Sequence, residues 1–165
     1  MKRLFVIAVL VSLIWGCTIN QPKGQSFEQY SLKSNDKALV YVYRPPGESY
    51  GYERVYYLLD SNGTVTDLEH GGYFPFEVEP GEISLLADID KATSLLFGGK
   101  ANLFIDENPI YVNAFLQFEA VAGETYFIRF KPITYSYYFE PTLTLVSANE
   151  GMNEISACKL ILNEE

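Results

Sequence analysis

The chain has 165 residues and a formal net charge of −9, and its 13 Tyr and 11 Phe favour strands in a single domain. The acidity argues against a nucleic-acid partner, because binding to phosphates requires clustered Lys and Arg. One His and two Cys exclude most His/Cys metal sites and any framework of several disulfides.

The first predicted element is an export signal over residues 1–16. Lys2 and Arg3 precede a nearly unbroken apolar run from Leu4 to Trp15. That run is at most about two-thirds of the ~20 residues that a membrane-spanning helix requires. A short apolar run behind two cations is typical of an export signal.

A lipid attachment site follows this run. Ile14-Trp15-Gly16-Cys17 resembles a bacterial lipobox, although Trp15 stands where a small residue is usual. The resemblance implies cleavage after Gly16 and a covalent lipid on Cys17, and no other cofactor is predicted. The alternatives are an ordinary secretory signal and an uncleaved signal anchor.

Residues 17–36 are polar and are interpreted as a lipidated tether. About 18 flexible residues span roughly 20–25 Å. Thr18, rather than Asp, follows Cys17, which resembles the sorting signal for the outer membrane in organisms with two membranes. We therefore expect a periplasm-facing, outer-membrane lipoprotein.

Residues 37–165 are predicted to form one all-β domain, an antiparallel β-sandwich of immunoglobulin or transthyretin type with seven to eight strands. The predicted strands are Ala38–Tyr43, Val55–Leu59, Thr64–Leu68, Tyr73–Val78, Ile83–Ala87, Phe115–Val121, Thr125–Phe130 and Thr142–Val146.

Three turn signals connect these strands. Asn62-Gly63 predicts a hairpin. Pro80-Gly81 predicts a type II turn that pairs the strands on either side of it. Ala122-Gly123-Glu124 predicts a third pair. In the strand after it, Tyr126, Ile128 and Phe130 should share one face.

Two segments interrupt the strand pattern. Residues 92–114 are interpreted as a loop or a short helix that ends at glycines. A short helix is predicted near the C-terminus, with Asn149 as its N-cap, and a closing strand over Lys159–Leu162.

Short motifs are similar to those of a family of bacterial lipoproteins of the DUF2846 type. They are residues 38–45, 78–82 and 122–128, with Glu154-Ile155 and Cys158-Lys159 near the end. The resemblance covers roughly residues 37–162, and residues 89–111 look like an insertion. It implies a small sandwich of transthyretin or PEGA-like type and no particular activity.

No catalytic set emerges from the sequence. His70 lies in a Gly-rich turn without an evident nucleophile or orienting acid, so we interpret it as a surface turn residue. Ser156 and Lys159 match Ser-x-x-Lys, but the companion motifs of the serine acyl-enzymes are absent. The sequence therefore predicts a protein that is not an enzyme.

Cys158 is flanked by apolar residues and is interpreted as a buried core residue. A disulfide between Cys17 and Cys158 would exclude lipidation of Cys17.

Calcium is a weak possibility that the sequence does not favour. Asp60-Ser61-Asn62-Gly63 starts like a calcium loop, but Gly71 occupies the acidic twelfth position. The pair Asp88 and Asp90 and the stretch 106–108 could meet in space, although solvated carboxylates are commoner. No metal site is predicted.

Clustered tyrosines are the one candidate interaction surface. Tyr combines an apolar face with a polar tip, which suits a glycan or a protein interface. The alternative is that these residues are ordinary strand residues. The candidates are Tyr50, Tyr52, Tyr56, Tyr57, Tyr135, Tyr137 and Tyr138.

These features together predict a non-enzymatic binding or accessory module, anchored to the membrane, whose partner is an envelope protein or a glycan. The alternatives are a structural subunit of an envelope-spanning assembly and, less favoured, an envelope hydrolase.

Overall fold

The computed structural model describes residues 22–47, 56–88, 114–134 and 139–163. Predictions for the signal, for Cys17 and for residues 92–113 lie outside these ranges. The elements are β1 Ala38–Arg44, β2 Tyr56–Asp60, β3 Gly63–Leu68, β4 Gly72–Val78, β5 Gly81–Asp88, β6 Ala114–Ala120, β7 Thr125–Thr134, β8 Phe139–Val146, α1 Ala148–Ile155 and β9 Lys159–Leu160.

Two sheets make up the domain, with strand orders β8-β7-β1-β4-β9 and β3-β2-β5-β6. The pairs β1–β7 and β4–β9 are parallel, and the other pairs are antiparallel. The prediction of an all-β sandwich with a short C-terminal helix is confirmed.

Both faces of the first sheet are covered at β1, because all seven residues of this strand are buried. Val40 and Val42 face the second sheet in an inner core, while Tyr41 and Tyr43 belong to an outer cluster with Ile155 of α1. A strand that is covered on both sides reads as a continuous apolar run, as this one does.

Two of the predicted strand pairs are wrong. β4 and β5 flank Pro80-Gly81 but belong to different sheets, as do β6 and β7 around Gly123. Gly81 and Gly123 have φ of 125° and 80°, so the predicted glycine turns are present. These turns carry the chain across the sandwich instead of back along the same sheet.

Two other local predictions hold, whereas the N-cap Asn149 and the strand end at Leu162 are wrong. β2 and β3 form the hairpin at Asn62-Gly63. Ile128 and Phe130 face the inner core together, with Tyr126 packed against it. The helix begins two residues earlier than predicted, because Ser147 is the N-cap and its Oγ accepts a hydrogen bond from the Glu150 amide at 3.3 Å. The closing strand pairs only Lys159 and Leu160.

The expectation of a free tether does not hold for residues 22–36, which pack on the outer cluster. The Phe27 ring makes edge contacts with Tyr41 and Tyr73, at centroid distances of 5.6 and 5.3 Å. The Leu160 amide donates to the Gln25 carbonyl at 2.8 Å. The packed domain therefore includes residues 22–36 and does not begin at Lys37.

The sandwich has two ends that matter below. Arg44 of β1 pairs with Gly72 of β4 at one end, which we call the cleft end. Ala38 pairs with Val78 at the other, which we call the turn end, because the turns at Gly81 and Gly123 lie there.

Candidate functional site

A cleft of about 360 Å³ opens at the cleft end, where β1 ends and β7 continues past it. Three prolines and Phe130 form apolar walls, and charged side chains lie among them. The described lining comprises Arg44, Pro45, Pro46, Gly47, His70, Arg129, Phe130, Lys131, Pro132 and Glu154.

Arg44 closes the inner core at this end. Its side chain is buried, and its Nη1 donates to the Leu68 carbonyl at 3.1 Å. The guanidinium carbon lies 5.5 Å from the ring centroid of Tyr56 and 5.7 Å from that of Phe130, within range of cation–π attraction. Burial lowers the pKa of Arg44, but an arginine with an ordinary pKa above 12 still carries its charge.

Arg129 lies on the opposite face of the sheet and joins β7 to α1. Its Nη1 is 2.8 Å from carboxylate oxygens of both Glu150 and Glu154. The Tyr43 hydroxyl donates to the other oxygen of Glu154 at 2.6 Å. Burial, together with this bond to a carboxylate, raises the pKa of Tyr43, so the phenol stays protonated. The network therefore fixes one wall of the cleft.

The lining carries more positive than negative charge. Arg44, Arg129 and Lys131 are cationic, whereas Glu154 is the one carboxylate among the described lining residues. Lys131 is exposed at the mouth. Glu150 and Glu154 offset Arg129, so the positive charge of the lining comes from buried Arg44 and exposed Lys131. These two cations suit an anionic group with an apolar part that rests on the prolines.

His70 lies at this site, as the sequence did not suggest, and it is buried instead of lying on the surface. Its Nε2 is 3.3 Å from the amide nitrogen and 3.2 Å from the carbonyl oxygen of Gly47. The described lining contains no Ser, Thr or Cys that the imidazole could activate. His70 therefore holds the loop after β1 against the turn before β4.

The Ser-x-x-Lys match does not form a catalytic pair on a helix. Ser156 is the C-cap of α1, and its Oγ donates to the Asn153 carbonyl at 2.7 Å. Lys159 lies beyond the helix, at the start of β9. The spacing that would place both side chains on one helical turn is thus interrupted.

Cys158 is buried in the outer cluster, as predicted. Its Sγ lies 3.9 Å from the Arg44 carbonyl and 3.8 Å from the Glu154 carbonyl. Burial, with a smaller contribution from Glu154, raises the pKa of the thiol to about 12. The thiolate, which is the reactive form, is therefore scarce at neutral pH.

The calcium-like loop is a capped turn. Asp60 Oδ1 accepts from the amides of Asn62 at 2.7 Å and Gly63 at 3.1 Å, which stabilises the β2–β3 hairpin. Asp88 is buried, and Asp90 and residues 106–108 lie outside the described ranges. Within those ranges, no three His, Cys, Asp or Glu side chains are grouped as metal ligands would be.

The tyrosine candidates divide into two groups. Tyr56 is buried with its ring centroid 4.6 Å from that of Phe130, and Tyr57 is half-buried. The other candidates fall outside the part of the chain that the structure describes: Tyr50, Tyr52, Tyr135, Tyr137 and Tyr138. No helix in the described part is long and apolar enough to span a bilayer.

Sequence reasoning missed the cationic cleft. Arg44 appears in the sequence only as the residue that ends a strand before Pro45-Pro46, and nothing local shows that β7 lies beside β1. The helix cap was detectable, because Ser147 and Glu150 have the Ser-x-x-Glu spacing of a capping box.

No protein-family model, no curated protein and no solved structure matches this chain. The resemblance to DUF2846-type lipoproteins, which rests on short motifs, therefore stays a prediction from the sequence.

Proposed function

We propose that the protein is a lipid-anchored, non-enzymatic binding module of the cell envelope, held at the periplasmic face of the outer membrane through Cys17. The cleft is its ligand site, and the ligand presents an anionic group, a carboxylate or a phosphate. The anchor is argued from the lipobox-like Ile14-Trp15-Gly16-Cys17.

The observation that carries the binding role is the charge of the cleft lining. Arg44 is buried at the base of the cleft and Arg129 is bonded to Glu150 and Glu154, so Lys131 is the exposed cation among the described lining residues. Because Lys131 lies at the mouth, an anionic group can reach it without displacing another part of the described lining.

The surroundings of the candidate nucleophiles and base favour a binding role over a catalytic one. The Ser156 hydroxyl bonds to a backbone carbonyl, and the Cys158 thiol is buried with a raised pKa. His70 interacts with the Gly47 backbone. An acyl-transfer mechanism requires a nucleophile within hydrogen-bonding reach of a base, and these three positions do not supply that pair.

Charge reversal at the cleft mouth tests the proposal. The full-length protein is passed over carboxylated and neutral dextran at low salt. We expect retention on the carboxylated matrix, reduced at least about fivefold by Lys131→Glu, since an exposed ion pair contributes up to ~1 kcal/mol.

The matched control is Lys33→Glu, which makes the same charge change at an exposed position near the turn end. Equal retention of the two variants would mean that net charge, and not the cleft, governs binding. Absence of retention of the parent protein would also contradict an anion-binding cleft.

A further inference from the structure

The turn between β2 and β3 carries a reactive pair of residues that the proposed binding role does not use. Asn62-Gly63 is the one Asn-Gly pair in the chain, and Asn62 is exposed. Gly63 pairs with Asp60 where the hairpin closes, and its φ is 131°. A Cβ built on Gly63 would meet nothing within 4 Å, so the space beside this residue is open.

An asparagine that precedes a glycine can deamidate without an enzyme. The backbone amide of the glycine first loses its proton to a base in solution, and its nitrogen attacks the side-chain carbonyl carbon of the asparagine. A new C–N bond closes a succinimide ring, and the side-chain nitrogen takes up a proton and leaves as ammonia. Water then opens the ring at either carbonyl, which yields aspartate or isoaspartate. Glycine favours the reaction because it has no Cβ to obstruct the approach of the nitrogen.

The structure places the Asp60 carboxylate on both nitrogens that take part in this reaction. The Gly63 amide, which is the nucleophile, donates to Asp60 Oδ1 at 3.1 Å. The side-chain nitrogen of Asn62, which leaves, donates to Asp60 Oδ2 at 3.4 Å. The backbone amide of Asn62 also donates to Oδ1, at 2.7 Å, and fixes the carboxylate in the turn.

These hydrogen bonds oppose deamidation in two ways. The bond to a carboxylate keeps the proton on the Gly63 nitrogen, and the nearby negative charge disfavours the anion that must form there. The bond from Asn62 Nδ2 holds the side chain toward Asp60 and restricts the rotation that brings its carbonyl carbon to the Gly63 nitrogen. The reaction therefore requires these bonds to open first.

We propose that Asn62 is a site of spontaneous deamidation and that Asp60 protects it while the turn is folded. The co-reactants are water and a base, so the proposal depends neither on the lipid anchor nor on the ligand of the cleft. The product brings a second carboxylate beside Asp60, and isoaspartate also lengthens the backbone before Gly63. Both changes disfavour the bonds that close the turn, so the modified hairpin does not regain its cap.

Peptide mapping by mass spectrometry tests the proposal on the full-length protein, incubated in native buffer at mildly alkaline pH. Conversion of Asn62 is detected by the mass increase that accompanies the exchange of an amide for an acid. We expect Asp60→Ala to deamidate at least about tenfold faster than the parent, as for the loss of a hydrogen bond to a charged group. In concentrated urea the two proteins should react at similar rates, because the cap exists only in the folded chain.

The matched control is Asp67→Asn, which removes a carboxylate from the same hairpin near the end of β3, away from the turn. It should deamidate at Asn62 as slowly as the parent. If Asp60→Ala does not fold, Asp60→Asn provides the test. It keeps an oxygen acceptor for the turn, removes the charge and should still react faster than the parent.

Equal rates for the parent and Asp60→Ala in native buffer would overturn the protective role of Asp60. So would an Asp67→Asn protein that reacts as fast as Asp60→Ala, because net charge or general opening of the hairpin would then explain the effect. A parent protein that deamidates as fast in buffer as in urea would show that the folded turn gives no protection. No conversion of Asn62 in urea would contradict the modification site itself.

Discussion

Arg44 and Arg129 lie on opposite faces of neighbouring strands and have different surroundings. Arg129 is held by two carboxylates on α1, at the helix that covers the outer cluster. Arg44 faces the inner core, where two aromatic rings and a carbonyl surround it. Both contribute to one cleft only because β1 and β7 are neighbours in the sheet.

Gly151 is a residue at which a single methyl group should disturb the packing of α1. A Cβ at this position would lie 2.4 Å from the Phe127 Cβ, which cannot move aside without its strand. We expect Gly151→Ala to lower the free energy of unfolding by about 1–3 kcal/mol, despite its better helix propensity. Urea unfolding measures this, with exposed Asn153→Ala on the same helix as the control. An unchanged midpoint for Gly151→Ala would contradict the close helix–sheet contact.

Cys158 should make stability depend on pH above neutrality. Its folded-state pKa of about 12 exceeds the ordinary value of 9.0. The stabilisation is therefore fully present below pH 9 and is lost as pH rises toward 12, because the unfolded chain ionises first. The free energy of unfolding can be measured with urea under reducing conditions. Between pH 8 and 10.5 it should fall more steeply for the parent protein than for Cys158→Ala. Parallel pH profiles for the two proteins would indicate that the thiol is hydrated.

At the scale of elements, local sequence predicted the strands well and their partners less well. Alternating apolar and polar residues and a high content of β-branched residues predict that β7 and β8 are strands, but do not predict which strands they pair with. A glycine with positive φ marks a turn, but it does not specify whether the next strand returns to the same sheet. The parallel β1–β7 pair joins residues far apart in the sequence, so no local signal predicts it, and the cleft that depends on this pair was not predictable either.

The turn at Gly123 tests the conformational part of this interpretation. Its φ of 80° is left-handed, where a Cβ costs about 1–2 kcal/mol. We expect Gly123→Ala to destabilise the domain by that amount in thermal or urea unfolding. Gly47→Ala serves as the control, because a Cβ there meets nothing within 4 Å. Equal stabilities of the two variants would mean that the turn can change its conformation freely.

The packing of residues 22–36, before β1, was not predicted because this segment is mostly polar. Phe27 is its main apolar contact, yet it stands alone among polar neighbours in the sequence. Phe27→Ala should cost about 1–3 kcal/mol, less than for a fully buried Phe. Exposed Gln29→Ala is the matched control, and urea unfolding compares the two. A Phe27→Ala protein as stable as the parent would restore the interpretation of this segment as a free tether.

At the scale of the whole molecule, the packed segment changes what the anchor implies. A tether that ran from Cys17 to Asp36 would let the domain turn freely above the bilayer. Packing of residues 22–36 against the outer cluster means that this stretch would not act as a free tether between Cys17 and the domain.

The intact mass of the protein purified from membranes tests the lipid anchor most directly. We expect a chain that begins at Cys17, carries covalent lipid and contains no tryptophan, since Trp15 is the only one. Its side-chain charge would be −11, because loss of Lys2 and Arg3 removes two of the positive charges from the total of −9. A membrane-bound protein with the mass of residues 1–165, or a Cys17→Ala variant in the membrane fraction at the mature size, would contradict the lipid anchor.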